Sequence, residues 1–520
     1  MFPKNWHRYL FLVSLICLSS GALFGSSLMS IGQIALSANW FLEGNYINKI
    51  KNLYYNKIFW LLISLYLLHV FAMVYTDNLH SGFADLGSKI PLLIVPILFF
   101  STKPLSSTEL KLVLNLFYAS VILSSIYCFV VYLGYTKRTV INPRDASVFM
   151  SHIRFSLCIA FAVCGLVYNT IYELTFIRKI VSALAVLWLL FFMYQLELMT
   201  GFVCLSVVAF AFFIYILIKR LPTKISILGM LLFIVVITFV VVNIKQSLTA
   251  FDAKPNNISN KLLSKTINNR TYLQDTLYGL AENGTLIGIN ISDYEIEKEW
   301  EKRSKIPYNG IDKKGNELRY TILHYMASKG LTKDSIGISK LFQKDISLIE
   351  EGFTNYLYVT NNVFARWREI VWEYTKYQRG ENPSGHTLTM RLEFWKTAFY
   401  LIKQKPLLGS GTGDIQDSFN KAYQETQTKL NKTWWLRCHN QYLAITVAFG
   451  IIGLALFLFY LIYPALLFRN KLHVLYWCFY LIVLTSFLSE DTLETQAGVT
   501  LFAFFQCLFL WLASPKKVLN

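Results

Sequence analysis

Residues 441–467 read QYLAITVAFGIIGLALFLFYLIYPALL, an apolar run without a charged side chain. A helix rises 1.5 Å per residue, so this run is longer than the ~30 Å hydrocarbon core of a bilayer. The stretch therefore predicts a membrane helix.

The composition extends the membrane prediction to the whole chain of 520 residues. Hydrophobic residues make up 54% of it and charged residues 15%, whereas soluble domains average about 25% charged residues. This excludes an ordinary soluble enzyme and a disordered chain. We predict an all-α polytopic membrane protein with about 12 transmembrane helices. The apolar segments run over residues 9–26, 28–43, 58–76, 83–101, 109–134, 150–168, 177–195, 200–218, 223–243, 441–467, 472–489 and 495–513.

The charges are concentrated in one part of the chain. Residues 244–440 hold 28 of the 49 basic and 21 of the 31 acidic residues. We therefore predict three parts: a membrane domain of about nine helices over 1–243, a water-exposed, mostly helical insert over 244–440, and the last three helices over 441–520. Within the insert, apolar side chains recur at helical spacing over 391–405, and Pro406 should end that helix.

The positions of lysine and arginine predict the orientation. With both termini on the cytoplasmic side, every predicted inside stretch contains basic residues, and the large insert lies outside. The net charge of +18 would suggest nucleic acid in a soluble protein, but here these loops account for it, and we predict no nucleic-acid partner. One outside loop breaks the rule, because it carries Lys137, Arg138 and Arg144. This cluster is a candidate for attracting an anionic lipid head group.

Other candidate site residues lie near the predicted outer face. Arg154 lies in an apolar segment, where an arginine costs roughly 2.5–3.5 kcal/mol, so it is either functional or extends to the surface. Gly409, Gly411 and Gly413 form a turn before a helix, which either binds a phosphate or only permits tight geometry. His439 lies where the insert re-enters the membrane and is either a base or a packing residue. Lys89 has Asp85 at i−4 and is predicted to be structural.

The chain lacks the motifs of several enzyme classes. It contains no Walker loop, HExxH, GxSxG or DxD motif. Its eight cysteines show no paired spacing, so neither a disulfide framework nor a zinc site is predicted. We therefore predict that the protein uses no metal and no cofactor.

Four motifs follow one another in the second half of the chain: RLEFW at 391–395, KPLLGSGTG at 405–413, HNQYL at 439–443 and FGIIG at 449–453. This series resembles the signature of the O-antigen ligase family, which includes O-antigen polymerases and protein O-oligosaccharyltransferases. SHIRF at 151–155 and EDTLE at 490–494 resemble further family positions. Many members have Ser-Arg-Thr-Gly where this chain has LMTG at 198–201, so one expected membrane arginine is missing.

The resemblance implies a GT-C-like glycosyltransferase of the bacterial inner membrane with a periplasmic loop. The family transfers a glycan from undecaprenyl diphosphate to an acceptor, without metal or nucleotide and with inversion. The resemblance and the residues together assign His439 as the base and Arg391 as a second catalytic residue. Arg391 and Arg154 are also expected to bind the diphosphate, with Arg144 and the three glycines as further candidates. The remaining candidates are His152, Asn440, Glu490 and Asp491.

Several functions remain open at this point. A ligase would use the lipid A-core oligosaccharide as acceptor, a polymerase a second lipid-linked glycan, and a protein transferase a Ser or Thr. We rank the ligase first because of the large insert. A twelve-helix transporter is a more distant alternative, since transporters of this size usually contain two repeated halves and none is visible. A scaffold that docks a partner on the insert would not explain Arg154.

Overall fold

The computed structural model describes residues 6–138, 140, 143–173, 175–219, 238, 242, 262–277, 280–313, 315–356, 370, 373–374, 377–378, 380 and 382–514. The chain forms two compact units. The first contains Met1–Leu221, Arg391–Thr428 and Lys432–Asn520. The second contains Pro222–Met390 and Lys429–Asn431.

Long apolar helices dominate the first unit. In chain order they are α1 (Trp6–Gly21), α2 (Ser26–Glu43), α3 (Tyr46–Tyr54), α4 (Lys57–Ala72), α5 (Leu79–Lys89), α6 (Pro91–Phe100), α7 (Ser107–Tyr132), α8 (His152–Tyr172), α9 (Phe176–Gln195) and α10 (Met199–Lys219). Short 3₁₀ turns cover Met73–Tyr75, Pro143–Ala146, Lys432–Trp434 and Thr492–Glu494.

The second unit is smaller and mixed. It contains the strands β1 (Ala281–Glu282) and β2 (Thr285–Leu286), followed by α11 (Asp293–Trp300), α12 (Leu318–Ser328), α13 (Ser335–Ser339) and α14 (Gln343–Glu350). The two strands pair antiparallel, with Ala281 opposite Leu286. The remaining helices are α15 (Thr387–Gln404), α16 (Ile415–Glu425), α17 (Gln441–Leu467), α18 (Val474–Ser486) and α19 (Gln496–Ala513). Residues 391–404 of α15, and all of α16 to α19, belong to the first unit.

Eight stretches of the described residues are long and apolar enough to cross a membrane. They are Lys57–Tyr75, Leu79–Phe100, Ser107–Tyr132, His152–Tyr172, Phe176–Gln195, Met199–Lys219, Gln441–Leu467 and Gln496–Ala513. Each coincides with a predicted segment, which supports an all-α, multi-pass membrane protein. The segments predicted over 9–26 and 28–43 are helices but do not qualify as spans, and 472–489 forms the shorter α18. Nearly all of the segment predicted over 223–243 lies outside the described residues, and the number twelve stays a prediction.

Aromatic side chains hold the membrane helices of the first unit together. Phe161 on α8 contacts Phe505 on α19, with ring centroids 4.7 Å apart. Phe117 on α7 contacts the same ring at 5.0 Å. Such edge-on pairs add to the packing of an apolar interior. The helix α19 is therefore central, and its start lies next to the acidic stretch 490–494.

The two units do not follow the limits predicted from charge density. Residues 391–428 and 432–440 were predicted to belong to the insert over 244–440, but they pack within the first unit. The difference has a physical reason, because charge density reports exposure to water, whereas a compact unit is defined by contacts. The helix predicted over 391–405 is confirmed: α15 ends at Gln404, before Pro406. The assignment of membrane and periplasmic parts stays a prediction.

The second unit has an apolar core of its own. Trp300, Tyr325 and Ile322 are fully buried there. Lys333 is also buried, and its Nζ donates to the backbone oxygens of Leu286 at 2.6 Å and Ile289 at 3.2 Å. Burial lowers the pKa of Lys333 to about 8. The insert thus contains a packed module rather than a long loop.

Candidate active site

His439 and Asp491 form the centre of the candidate site in the first unit. His439 Nδ1 lies 3.3 Å from Asp491 Oδ1, and both side chains are partly buried. When Nδ1 carries the proton, it donates to Asp491, and Nε2 is left as the acceptor. The Phe394 ring lies beside the imidazole, with centroids 5.6 Å apart. A carboxylate on one nitrogen, with no hydrogen-bond partner for the second nitrogen among the described residues, is the arrangement expected of a general base.

The backbone at His439 is held in an uncommon conformation. Its φ is +45°, in the left-handed region that non-glycine residues seldom adopt. Neighbouring contacts fix it on both sides. Trp395 Nε1 donates to the Cys438 carbonyl at 3.0 Å, and Asn440 Nδ2 donates to the Leu488 carbonyl at 2.9 Å. Strained residues of this kind persist where the surroundings determine them, and they cluster at functional sites.

Asn440 has a local structural task. Its side chain accepts from the Leu443 N–H at 3.0 Å and so caps the N-terminus of α17. Because Asn440 caps the helix and also contacts Leu488, it explains why α17 begins at Gln441. Asn440 was a predicted site candidate, and in the structure its polar atoms are used in positioning the neighbouring histidine.

Arg391 and Glu490 form a second pair next to the first. Arg391 Nη2 donates to Glu490 Oε1 at 2.7 Å, and their side chains are 21% and 14% exposed. Arg391 Nε is buried and has no hydrogen-bond partner among the described residues. A buried unpaired donor costs about 1–3 kcal/mol unless something supplies an acceptor. The guanidinium therefore has an unused donor beside the His439–Asp491 pair.

Burial and charge together shift the pKa values of this group. Burial lowers the pKa of His439, but the hydrogen bond to Asp491 and the charges of Asp491 and Glu490 outweigh burial and raise it above its ordinary value. Burial raises the pKa of Glu490, and the positive charges of Arg391 and His439 offset part of that rise. Asp491 and Glu490 thus stabilise the protonated form of His439, which is the form that a general base reaches after it accepts a proton.

The same three side chains could also approach a cation. The nearest ligand atoms of His439, Glu490 and Asp491 all lie within 4.8 Å of one another. Carboxylate oxygens and an imidazole nitrogen are ligands for several divalent metals. However, the Arg391 guanidinium already pairs with Glu490 and adds a positive charge that opposes cation binding.

Arg154 lies in the first turn of α8, whose first residue is His152. Within the described part of the chain, Arg154 has no hydrogen bond or ion pair. It lines a cavity that also contains Thr492, one residue after Asp491. The Thr492 hydroxyl is buried and lacks a partner among the described residues. The other walls are mainly apolar and include the aromatic side chains of Phe117, Phe161, Phe479, Phe487, Phe502 and Phe505.

The predicted candidates Arg144 and His152 lie close to this group. The charges of Arg144 and Arg391 both act on the His152 ring, so the three residues share one electrostatic environment. Arg144 Nη2 also lies 3.3 Å from Glu197 Oε2. The structure brings four predicted candidates into contact as two pairs: His439 with Asp491, and Arg391 with Glu490.

The glycine-rich turn packs against a break in α17. Gly450 has φ +64° and interrupts the helix. The turn supplies partners for backbone groups at the break: the Ser410 N–H donates to the Val447 carbonyl at 2.8 Å, and the Ile451 N–H donates to the Pro406 carbonyl at 2.8 Å. Inside an apolar environment such groups must be paired by protein. The turn therefore makes the broken helix possible.

Close approach to other segments explains the three glycines of the turn: a Cβ on Gly411 would lie 2.5 Å from Thr76 Oγ1, and a Cβ on Gly413 would lie 2.2 Å from the Asn78 carbonyl oxygen. A Cβ on Gly409 would lie 2.5 Å from the backbone of Ala448, and the Gly409 N–H donates to the Lys405 carbonyl. The N–H groups of Gly411 and Gly413 also donate within the protein. Since these donors are already used, the predicted binding of phosphate by the three glycines is not part of the function that we propose.

Sequence reasoning missed the partners on the other side of the acidic stretch. Glu494 Oε2 accepts from Arg437 Nη1 at 2.9 Å and from Lys89 Nζ at 3.2 Å. The predicted pair of Lys89 with Asp85 is confirmed at 2.7 Å. One signal could have identified Glu494: three acidic residues in a predicted outside loop that lacks basic residues require cations from elsewhere.

Residues 353–458 match the model of a protein family, and they include Arg391, the glycine-rich turn and His439. The family is the O-antigen ligase family. The resemblance stated from the four motifs is thus confirmed over this part of the chain. The O-antigen ligase family is associated with glycosyltransferase-like enzymes that act in membranes. No curated protein matches the chain.

Proposed function

We propose that the protein transfers an O-antigen-type glycan from undecaprenyl diphosphate to the lipid A-core oligosaccharide, at the periplasmic face of the inner membrane. The observation that carries the proposal is the juxtaposition of the His439–Asp491 pair, at 3.3 Å, with Arg391, whose buried Nε has no partner among the described residues. One pair supplies a base and the other supplies a cation. His439 and Arg391 lie within residues 353–458, the part that matches the family.

The reaction needs one proton acceptor. The acceptor hydroxyl oxygen forms a bond to the anomeric carbon, and the bond from that carbon to the diphosphate oxygen breaks. His439 Nε2 takes the hydroxyl proton, and Asp491 stabilises the resulting imidazolium. A single direct displacement of this kind inverts the anomeric configuration.

The leaving group needs fixed positive charge. The diphosphate gains negative charge as its bond to the sugar breaks, and a guanidinium meets phosphate oxygens through two parallel N–H groups. Arg391 donates to Glu490 through Nη2, so its Nε remains available to donate to a phosphate oxygen. Arg154, with the Thr492 hydroxyl in the same cavity, is the second proposed contact. No metal is needed in this scheme.

The polymerase and the protein transferase remain alternatives, because they use the same donor. The test is transfer by purified protein from a defined undecaprenyl-diphosphate glycan to three acceptors: lipid A-core oligosaccharide, a second lipid-linked glycan, and a Ser/Thr peptide. We expect transfer to lipid A-core. Transfer only to one of the other two would reassign the acceptor, and no transfer to any of them would overturn the proposal.

The orientation has its own test. Reporter fusions after residue 243 and at residue 435 should both read as periplasmic, because nine predicted crossings from a cytoplasmic N-terminus place the insert outside. Cytoplasmic activity of either fusion would contradict a reaction at the periplasmic face.

A further inference from the structure

A buried ion-pair cluster forms around Glu494, the last residue of the acidic stretch 490–494. Glu494 Oε2 accepts from both Arg437 and Lys89, and Lys89 Nζ also donates to both oxygens of Asp85 at 2.7 Å. The side chains of Lys89 and Glu494 are 1% and 9% exposed. Two cations and two carboxylates therefore balance each other, which is the condition for burying charge. The proposed reaction uses none of these four groups.

Glu494 connects the two segments that carry the catalytic pair. Arg437 precedes His439 by two residues, and Asp491 precedes Glu494 by three. The 2.9 Å contact of Arg437 with Glu494 therefore links the segment of His439 to the segment of Asp491. Arg437 and Glu494 are 27% and 9% exposed, so solvent screens this contact only in part.

Gln441 provides a second link between the same segments. Its Oε1 accepts from the Leu493 N–H at 2.7 Å, and its Nε2 lies 3.4 Å from Glu494 Oε1. The Gln441 N–H donates to the Phe487 carbonyl at 2.9 Å. The carboxylate of Glu494 is thus contacted from α5, from the residues before α17 and from the start of α17. Burial raises the pKa of Glu494, but the charges of Lys89 and Arg437 outweigh burial and hold it well below its usual value.

We propose that Glu494 is a positioning residue: through Arg437 and Gln441 it fixes the backbone of His439 relative to Asp491. The inference rests on the proposed function, since it requires His439 and Asp491 to act together. Their contact of 3.3 Å is near the limit of a hydrogen bond. A small displacement therefore breaks it, and misplacement by about 1 Å can reduce catalysis on the order of 10²-fold.

A double-mutant cycle with Glu494→Gln and Arg437→Gln tests this role. Each single variant should lower kcat roughly 10–10²-fold with little change in the KM for the donor, because positioning of the base acts on the chemical step. The kcat of the double variant should be at least that of the less active single variant, since both changes break the same link. It also removes one cation and one anion together, so it retains the charge balance and should accumulate in the membrane.

A matched ion pair elsewhere in the first unit serves as the control. Arg8 Nη2 lies 2.6 Å from Glu109 Oε2, and the two side chains are 29% and 22% exposed. Arg8→Gln and Glu109→Gln should lower thermal stability without changing kcat. Loss of kcat in these controls at an equal loss of stability would overturn the positioning role. The positioning role would also be overturned if the losses of kcat in the two single variants multiply in the double variant. A folded double variant with full activity would overturn it as well.

His439→Ala, measured in parallel, separates this inference from the proposed function. If His439→Ala retains transfer, the base assignment fails, and the positioning role fails with it. If His439→Ala is inactive while Glu494→Gln has the wild-type kcat, the proposed function stands and Glu494 is only structural.

Discussion

Arg391 donates to Glu490 at 2.7 Å, and its Nε remains buried without a partner among the described residues. If this Nε binds the leaving diphosphate, Arg391→Lys should retain the charge but lose about 10²-fold in kcat, because an ammonium lacks the planar fork. The measurement is transfer from the purified lipid-linked donor, with thermal stability followed in parallel. Arg319→Lys, in the Arg319–Asp293 pair of the second unit, is the control and should leave kcat unchanged. A wild-type rate for Arg391→Lys would remove Arg391 from the proposed site.

Asp491 raises the pKa of His439 through a hydrogen bond and its charge. A base must be neutral, so wild-type kcat should increase as the pH rises through this raised pKa. Asp491→Asn should lower the His439 pKa, and the rising limb should therefore move to lower pH. The plateau should also fall, roughly 10²–10⁴-fold, as expected for loss of base function. A limb that stays in place or moves to higher pH would contradict the assignment of His439.

Arg154 lines a mainly apolar cavity, and its side chain has no partner within the described residues. If it binds phosphate, Arg154→Lys should accumulate normally but lose about 10²-fold in transfer. Arg178→Lys provides the comparison, since Arg178 also lies in the first turn of a membrane helix but is 70% exposed. Equal and unchanged rates for both variants would mean that Arg154 only reaches the membrane surface.

The ligand atoms of His439, Glu490 and Asp491 are close enough to meet a cation. We nevertheless expect transfer to persist in excess chelator and without added divalent ions, because Arg391 supplies a positive charge beside Glu490. The assay compares initial rates of chelated and untreated protein. Activity that disappears on chelation and returns with one divalent metal would show that these residues are metal ligands instead.

Gly409 has φ +69°, and a Cβ there would lie 2.5 Å from the backbone of Ala448. Gly409→Ala should therefore destabilise the protein by about 1–3 kcal/mol or more, since neither backbone can yield easily. Gly87→Ala is the matched control, because a Cβ on Gly87 meets nothing within 4 Å and alanine favours the helix. Thermal unfolding in detergent measures both. Equal stability of the two variants would contradict the packing role of the turn.

Much of the membrane fold follows from hydropathy alone. Helices in a bilayer satisfy their own backbone groups, so a long uncharged run such as 441–467 has few alternatives. Hydropathy does not report breaks, however, and Gly450 was no different in the sequence from a glycine inside a helix. Its role depends on the Pro406–Gly413 turn, about 40 residues earlier, which no local pattern connects to it.

The candidate site was only partly predictable for a similar reason. His439 and Arg391 were found through motif order, and Glu490 and Asp491 as further positions in an acidic stretch. Which carboxylate meets which cation depends on the fold: Arg391 pairs with Glu490, whereas Arg437 pairs with Glu494. For Lys89 the local partner at i−4 was predictable, but its contact with Glu494, 405 residues away, was not.

The break in α17 has a consequence for the order of folding. As it leaves the insertion machinery, the stretch 441–467 is a single apolar segment, and its own sequence does not mark the break at Gly450. The carbonyls of Val447 and Ala448 receive their N–H partners only when the turn that contains Ser410 and Gly411 docks against them. An uninterrupted helix is therefore the expected early state. The break at Gly450 is then expected to form when the turn docks, so completion of α17 is coupled to the docking of a segment synthesised before it.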